Sequence, residues 1–110
     1  MQVTRIEDAQ GYDAPRHHGV AALRLQGSDQ TGTQRVIVGL SHFLPNGGAE
    51  TSSSDAERVY VVLEGNITVT AGDVEVVLGP QDSCLILAGE KRSVRNATNR
   101  PASMLVISVP

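Results

Sequence analysis

The sequence predicts an all-β fold, a barrel or sandwich of short strands. Three observations predict it. Short runs rich in Val, Ile and Thr recur, punctuated by Gly, Pro, Asn and Asp. No segment keeps a helical period over three turns. Aromatic residues are scarce, at 3%, so Val, Leu and Ile must fill the core.

The strands are expected at Ala21–Leu25, Arg35–Leu44, Arg58–Glu64, Asn66–Ala71, Val74–Leu78, Ser83–Leu87, Lys91–Asn96 and Ala102–Val109. Leu63-Glu64-Gly65-Asn66 and Thr70-Ala71-Gly72-Asp73 carry tight-turn chemistry, and Gly79-Pro80-Gln81-Asp82 is a further turn. Gly65, Gly72 and Gly89 are read as turn glycines. Residues 26–34 are polar and Gly-rich and read as a surface loop. Residues 6–20 read as irregular, and Val3–Glu7 has strand character.

With 110 residues, one domain is expected over 1–110, its core at about 35–110 and a strand-and-loop extension at 1–34. The balance of 9 basic against 12 acidic residues, with no basic run and no aromatic platform, excludes a nucleic-acid partner. The longest apolar runs are strand-length, well short of the ~20 residues of a membrane span. The N-terminal Met1-Gln2-Val3-Thr4-Arg5 lacks the apolar centre of a signal peptide. The lone Cys84 allows no internal disulfide, fits a reducing cytoplasm, and lies in the apolar run Cys84-Leu85-Ile86-Leu87, which reads as a buried structural thiol.

Two stretches resemble the paired signatures of the cupin family. In the first, a Gly-rich turn precedes H-x-H-x3-(E/H/Q)-x6-G, and the segment from Pro45 to Gly65 follows that layout. Counted back from Gly65, the ligand positions fall on Ser52, Ser54 and Arg58. The second, G-x5-P-x-G-x2-H-x3-N, resembles the segment from Asp82 to Asn96. Gly89 and Asn96 match it, whereas Leu87 replaces the Pro and Arg92 the His. The resemblance implies a small double-stranded β-helix, a jelly-roll barrel. It also implies that all four metal-ligand positions have been replaced.

Successive strand side chains face opposite ways. Carrying over the family's inward ligands turns Ser52, Ser54, Arg58, Tyr60 and Val62 into the barrel. Arg92 and Val94 follow, with Ser41 in preference to His42, and Met104 and Val106 on the last strand. Glu57 is turned outward. Serine hydroxyls are weak ligands and arginine offers no lone pair, so no metal and no cofactor are expected. His17-His18 and His42 read as solvated side chains rather than as a separate metal site.

Two guanidiniums inside a barrel need a counter-ion, from Glu57, Glu90 or another carboxylate of the chain, or from a bound anion. Arginine's planar fork suits carboxylate and phosphate. The sequence therefore points to a metal-independent cupin that binds a small anionic, carboxylate-type metabolite through Ser41, Ser52, Ser54, Arg58, Tyr60 and Arg92. Two alternatives stand beside it. One is a metal-free lyase or isomerase acting on a carboxylate substrate, with Tyr60 or Glu57 moving the proton. The other is a non-catalytic structural or regulatory dimer. A homodimer is expected in each case, with no nucleic-acid or membrane partner.

Overall fold

The computed structural model describes Met1–Pro110. It contains nine strands and no α-helix. The strands are β1 (Gln10–Tyr12), β2 (His17–Gln26), β3 (Ile37–Ser52), β4 (Glu57–Glu64), β5 (Ile67–Ala71), β6 (Val74–Leu78), β7 (Ser83–Ile86), β8 (Arg92–Arg95) and β9 (Ala102–Val109). Every pairing is antiparallel. The order is β6-β5-β8-β3-β9-β4-β7, with β2 added to β3 and β1 added to β2. This is the jelly-roll barrel expected from the sequence.

The long strand β3 joins the two walls. Its first part, Ile37 to Phe43, pairs with β9, and its last part, Gly48 to Ser52, pairs with β8. Between them the chain bends at Asn46, whose φ is 66°, and β3 and β8 stay tied by the Asn46–Asn96 and Asn96–Gly47 backbone bonds. The expected Gly-rich turn at 45–48 therefore bends the strand without ending it. Asn tolerates the left-handed conformation at modest cost.

The walls close on one apolar core. Tyr60, Val62 and Met104 come from one side, Ile67, Val69 and Val94 from the other, and Phe43, Leu78 and Ile86 complete it. Burial of each large aliphatic or aromatic side chain contributes about 1.5–3 kcal/mol. The single fully buried amide, Asn96, donates to the carbonyls of Phe43, Leu44 and Arg100 and accepts from Thr98. It pins the turn before β9 to the bend in β3. Gly65 closes the β4–β5 turn at φ 75°, where a Cβ would lie 2.8 Å from the Pro101 carbonyl oxygen.

Differences from the sequence expectation cluster at the N-terminus. Residues 6–20, expected to be irregular, hold a 3-10 turn at Ile6–Asp8, all of β1 and the start of β2. Val3–Glu7 forms no strand. These segments lack the alternation of a half-buried strand because β1 pairs along one edge only, with β2. Cys84 is partly rather than fully buried, because β7 pairs only with β4. No helix is long and apolar enough to cross a membrane.

Candidate functional site

Strand register builds the site. One ladder crosses five strands from Arg24 on β2 through Gly39, Val106 and Tyr60 to Cys84 on β7. The adjacent inward row pairs Ile37 with Ser108, Ser108 with Arg58 and Arg58 with Ile86. The row on the other side pairs Ala22 with Ser41, Ser41 with Met104 and Met104 with Val62. From the opposite wall, β8 brings Arg92 beside Ser52.

These rows surround a cavity of about 440 Å³, within the range typical of small-molecule sites. All six candidate residues, Ser41, Ser52, Ser54, Arg58, Tyr60 and Arg92, line it. Ser41 is buried and faces in, whereas His42 is exposed on the other face. Met104 and Val106 line the cavity as expected from parity. Ser54 is turned back on its own loop, its hydroxyl bonded to the Ala56 backbone.

The two arginines are wired differently. Arg92 NH1 donates to the Ser52 carbonyl and to Ser52 Oγ, both at 2.7 Å, and Arg92 Nε donates to the Tyr60 hydroxyl at 3.0 Å. Arg58 makes one long bond, from Nε to Ser108 Oγ at 3.4 Å. Burial pushes the Arg58 pKa down, and the neighbouring Arg92 charge pushes it further; Tyr60 and Tyr12 oppose the shift. No carboxylate is among the groups that act on it. Glu57 is exposed on the outer face, and Glu90 accepts from the Leu87 backbone N–H instead. Neither acid lines the cavity, so neither serves as the expected internal counter-ion.

Several lining residues escaped the sequence reading. The β1–β2 connection lays Tyr12, Asp13, Arg16 and His17 over the mouth. Arg24 also lines it, its guanidinium 3.6 Å from the centre of the Tyr12 ring, a contact worth about 0.5–1 kcal/mol. The close approach of Tyr12 depends on Gly39, where a Cβ would stand 3.2 Å from the Tyr12 hydroxyl. Ser108 shares the facing of Met104 and Val106, so strand alternation alone puts it beside them. Nothing in the local pattern marked Tyr12 or Asp13.

Four guanidiniums and one carboxylate, Asp13, thus line the cavity. A divalent metal does not fit Ser52, Ser54, Arg58 and Arg92. The Ser52 hydroxyl is held by Arg92, and the guanidiniums would repel the ion. No group of three His, Cys, Asp or Glu side chains comes together elsewhere in the molecule.

The fold and the sequence both have known relatives. The chain is 46% identical over 106 residues to the beta-D-galactosidase Rv1717 of Mycobacterium tuberculosis H37Rv, covering 96% of this chain and 91% of that protein. It superposes on the polyketide cyclase RemF of Streptomyces resistomycificus with a TM-score of 0.86 at 19% identity, covering 99% of this chain and 79% of the other. A sugar phosphate isomerase of the cupin superfamily from Silicibacter pomeroyi gives a TM-score of 0.81 at 21% identity, covering 96% and 74%. At such identities the two structures share the fold alone with this chain. The cupin domain model matches residues 39–108. With the barrel and the matched segment in agreement, this chain is a member of the cupin domain family.

Proposed function

We propose that this cupin binds a small anionic metabolite of the carboxylate type in its barrel, without a metal ion. One observation carries the proposal: Arg58 is a partly buried cation facing a cavity, with one neutral hydroxyl as its hydrogen-bond partner and a second guanidinium nearby. A desolvated charge of this kind requires an opposite one, and a carboxylate matches the guanidinium fork. The serine and tyrosine hydroxyls around it suit a ligand that carries oxygens of its own. Thermal unfolding in a panel of carboxylates tests it. A melting temperature that rises with ligand in the native protein and stays flat in Arg58→Met is expected; equal shifts in both would overturn it.

A second function is favoured by the relative named a beta-D-galactosidase, 46% identical over nearly the whole chain. Hydrolysis of a β-galactoside ordinarily takes two carboxyl groups flanking the bond, and Asp13 is the only one lining this cavity. A hydrolase would therefore lean on Asp13 together with Tyr60 or a group at the mouth such as His17. Release of nitrophenol from nitrophenyl β-D-galactoside, lost in Asp13→Asn, would establish it. Absence of turnover by the native protein would remove it. A metal-free lyase or isomerase, expected to move its proton with Tyr60 or Glu57, would draw on Tyr60 with Asp13 or His17 beside it, since Glu57 does not line the cavity. The open cavity speaks against a purely structural role.

We also propose a homodimer in a reducing cytoplasm, formed through the outer face of β2-β3-β9-β4-β7. That face carries an apolar ladder, Leu23-Leu40-Leu105-Val61, beside Val38-Ile107-Val59-Leu85. Leu63, Leu85 and Val109 on it are 45–52% exposed. Its central rows bear no charge, which suits a second copy of the same surface.

A further inference from the structure

We infer, on the basis of the anion-binding proposal, that the ligand is a hydroxy-carboxylate of the sugar-acid class. Arg58 grips its carboxylate, the Tyr60 hydroxyl donates to an oxygen further along it, and Arg92 serves as a positioning residue acting through Tyr60.

The assignment follows from where the hydrogen-bond donors are directed. Arg92 has two of its nitrogens engaged within the protein, one of them bonded twice to Ser52 and the other to Tyr60. A planar guanidinium held at both ends has little freedom to turn towards a ligand. By donating to the Tyr60 oxygen it also occupies the acceptor side of that hydroxyl, so the phenolic hydrogen points elsewhere. Tyr60 is 4% exposed and lines the cavity, so that hydrogen is available to a bound molecule. Arg58 has only Nε engaged, which leaves its terminal nitrogens for the cavity. Arg58 therefore holds the free fork and Tyr60 the free O–H.

The cavity they face sets the ligand's size. Arg58 and Tyr60 are two residues apart on β4, on the same face, and the strand rise separates their Cα atoms by roughly 7 Å. Acetate or an inorganic anion fills little of a cavity of about 440 Å³ and leaves most of its hydroxyl lining unused. A chain of several carbons, with a carboxylate at one end and oxygens along it, reaches both. The rest of the lining fits such a molecule. The Ser41 and Ser108 hydroxyls offer short polar contacts, and Asp13 at the mouth accepts from ligand hydroxyls. A neutral sugar leaves Arg58 without its counter-charge.

Calorimetric titration with D-galacturonate, D-galactose and acetate tests the inference, using native protein, Arg58→Met, Arg58→Lys, Tyr60→Phe, Arg92→Met and the Tyr60→Phe/Arg92→Met double variant. Galacturonate should bind at least tenfold tighter than galactose or acetate. Both Arg58 variants should lose roughly tenfold to a hundredfold, since Lys keeps the charge but not the fork. Tyr60→Phe should lose roughly threefold to tenfold. Adding Arg92→Met to Tyr60→Phe should then cost nothing more, the mark of two residues acting as one. Arg92→Gln, which retains a hydrogen-bonding end, replaces Arg92→Met should the latter fail to fold. Galactose binding as tightly as galacturonate would overturn the inference. So would acetate matching galacturonate, or an Arg92 effect undiminished in the Tyr60→Phe background. In the last two cases anion binding itself would survive. Failure of every carboxylate to bind would instead defeat the underlying proposal.

Discussion

Arg92 Nε donates to the Tyr60 hydroxyl at 3.0 Å, a bond that runs from one wall of the barrel to the other, since β8 and β4 are not neighbours in the sheet. Arg58 lies two residues from Tyr60 on β4, with no comparable internal partner. The two arginines thus share a cavity but not a role, and the difference yields a first prediction. Arg58→Met should stabilise the unliganded protein slightly, by less than about 1 kcal/mol since solvent screens a half-exposed group, because it removes a partly desolvated charge and its repulsion with Arg92. Arg92→Met should destabilise it, because the bonds to Ser52 and Tyr60 are lost. Urea unfolding of both variants checks the opposite signs; two losses would refute the account of Arg58.

Purified protein is expected to carry no stoichiometric transition metal, since Ser52, Ser54, Arg58 and Arg92 occupy the four ligand positions. Elemental analysis decides this. About one iron, manganese, nickel or zinc per chain, removed by a chelator with a fall in melting temperature, would be the contrary result. His17, His18 and His42 would then be the ligands to substitute first.

Asn96→Leu should destabilise strongly. The Asn96 amide satisfies the carbonyls of Phe43, Leu44 and Arg100 from a fully buried position. An unsatisfied buried group costs about 1–3 kcal/mol, and more than one is left here. A chemical denaturation midpoint unchanged from the native protein would contradict it.

The Cys84 thiol is held above its ordinary pKa of about 8.5 by burial first and by Glu90 second. The folded state therefore binds the proton more tightly than the unfolded state. The resulting stability is fully present below the unfolded value and is lost as pH rises through the folded one. Stability should decline above about pH 8.5, and less steeply in Cys84→Ala. Iodoacetamide at pH 8 should modify native Cys84 more slowly than the unfolded chain. Equal alkylation rates in the two states would rule the shift out.

Light scattering should give the mass of a dimer at micromolar concentration. Leu85→Glu, which places a charge on the apolar outer face, should give the monomer with its β-sheet circular dichroism retained. A native protein of monomer mass, or a dimer untouched by Leu85→Glu, would exclude that face.

Much of this molecule was legible in its sequence. Alternation put Ser41 and His42 on opposite faces and aligned Arg58, Tyr60 and Val62 on one, because a strand side chain has only two directions to choose between; the cupin resemblance then chose Ser41 as the inward one. The turn at Gly65 and the strands from β4 to β9 follow from equally local chemistry. The wiring of the site was not legible. Whether Arg92 faces a ligand or bonds to Tyr60 depends on two strands that are 32 residues apart in the chain and meet only across the closed barrel. The same holds for Tyr12, Asp13 and Arg24 at the mouth. Their segment has no alternation to betray it, because β1 pairs only with β2 and its place over the cavity comes from that pairing. The sequence by itself determined which side chains share a face, a property of each strand alone, and its resemblance to the cupin signatures said which face is inward. Only the tertiary structure decided which of them bond to one another and which remain free for a ligand, because that choice is made by distances between strands that the local chain does not encode.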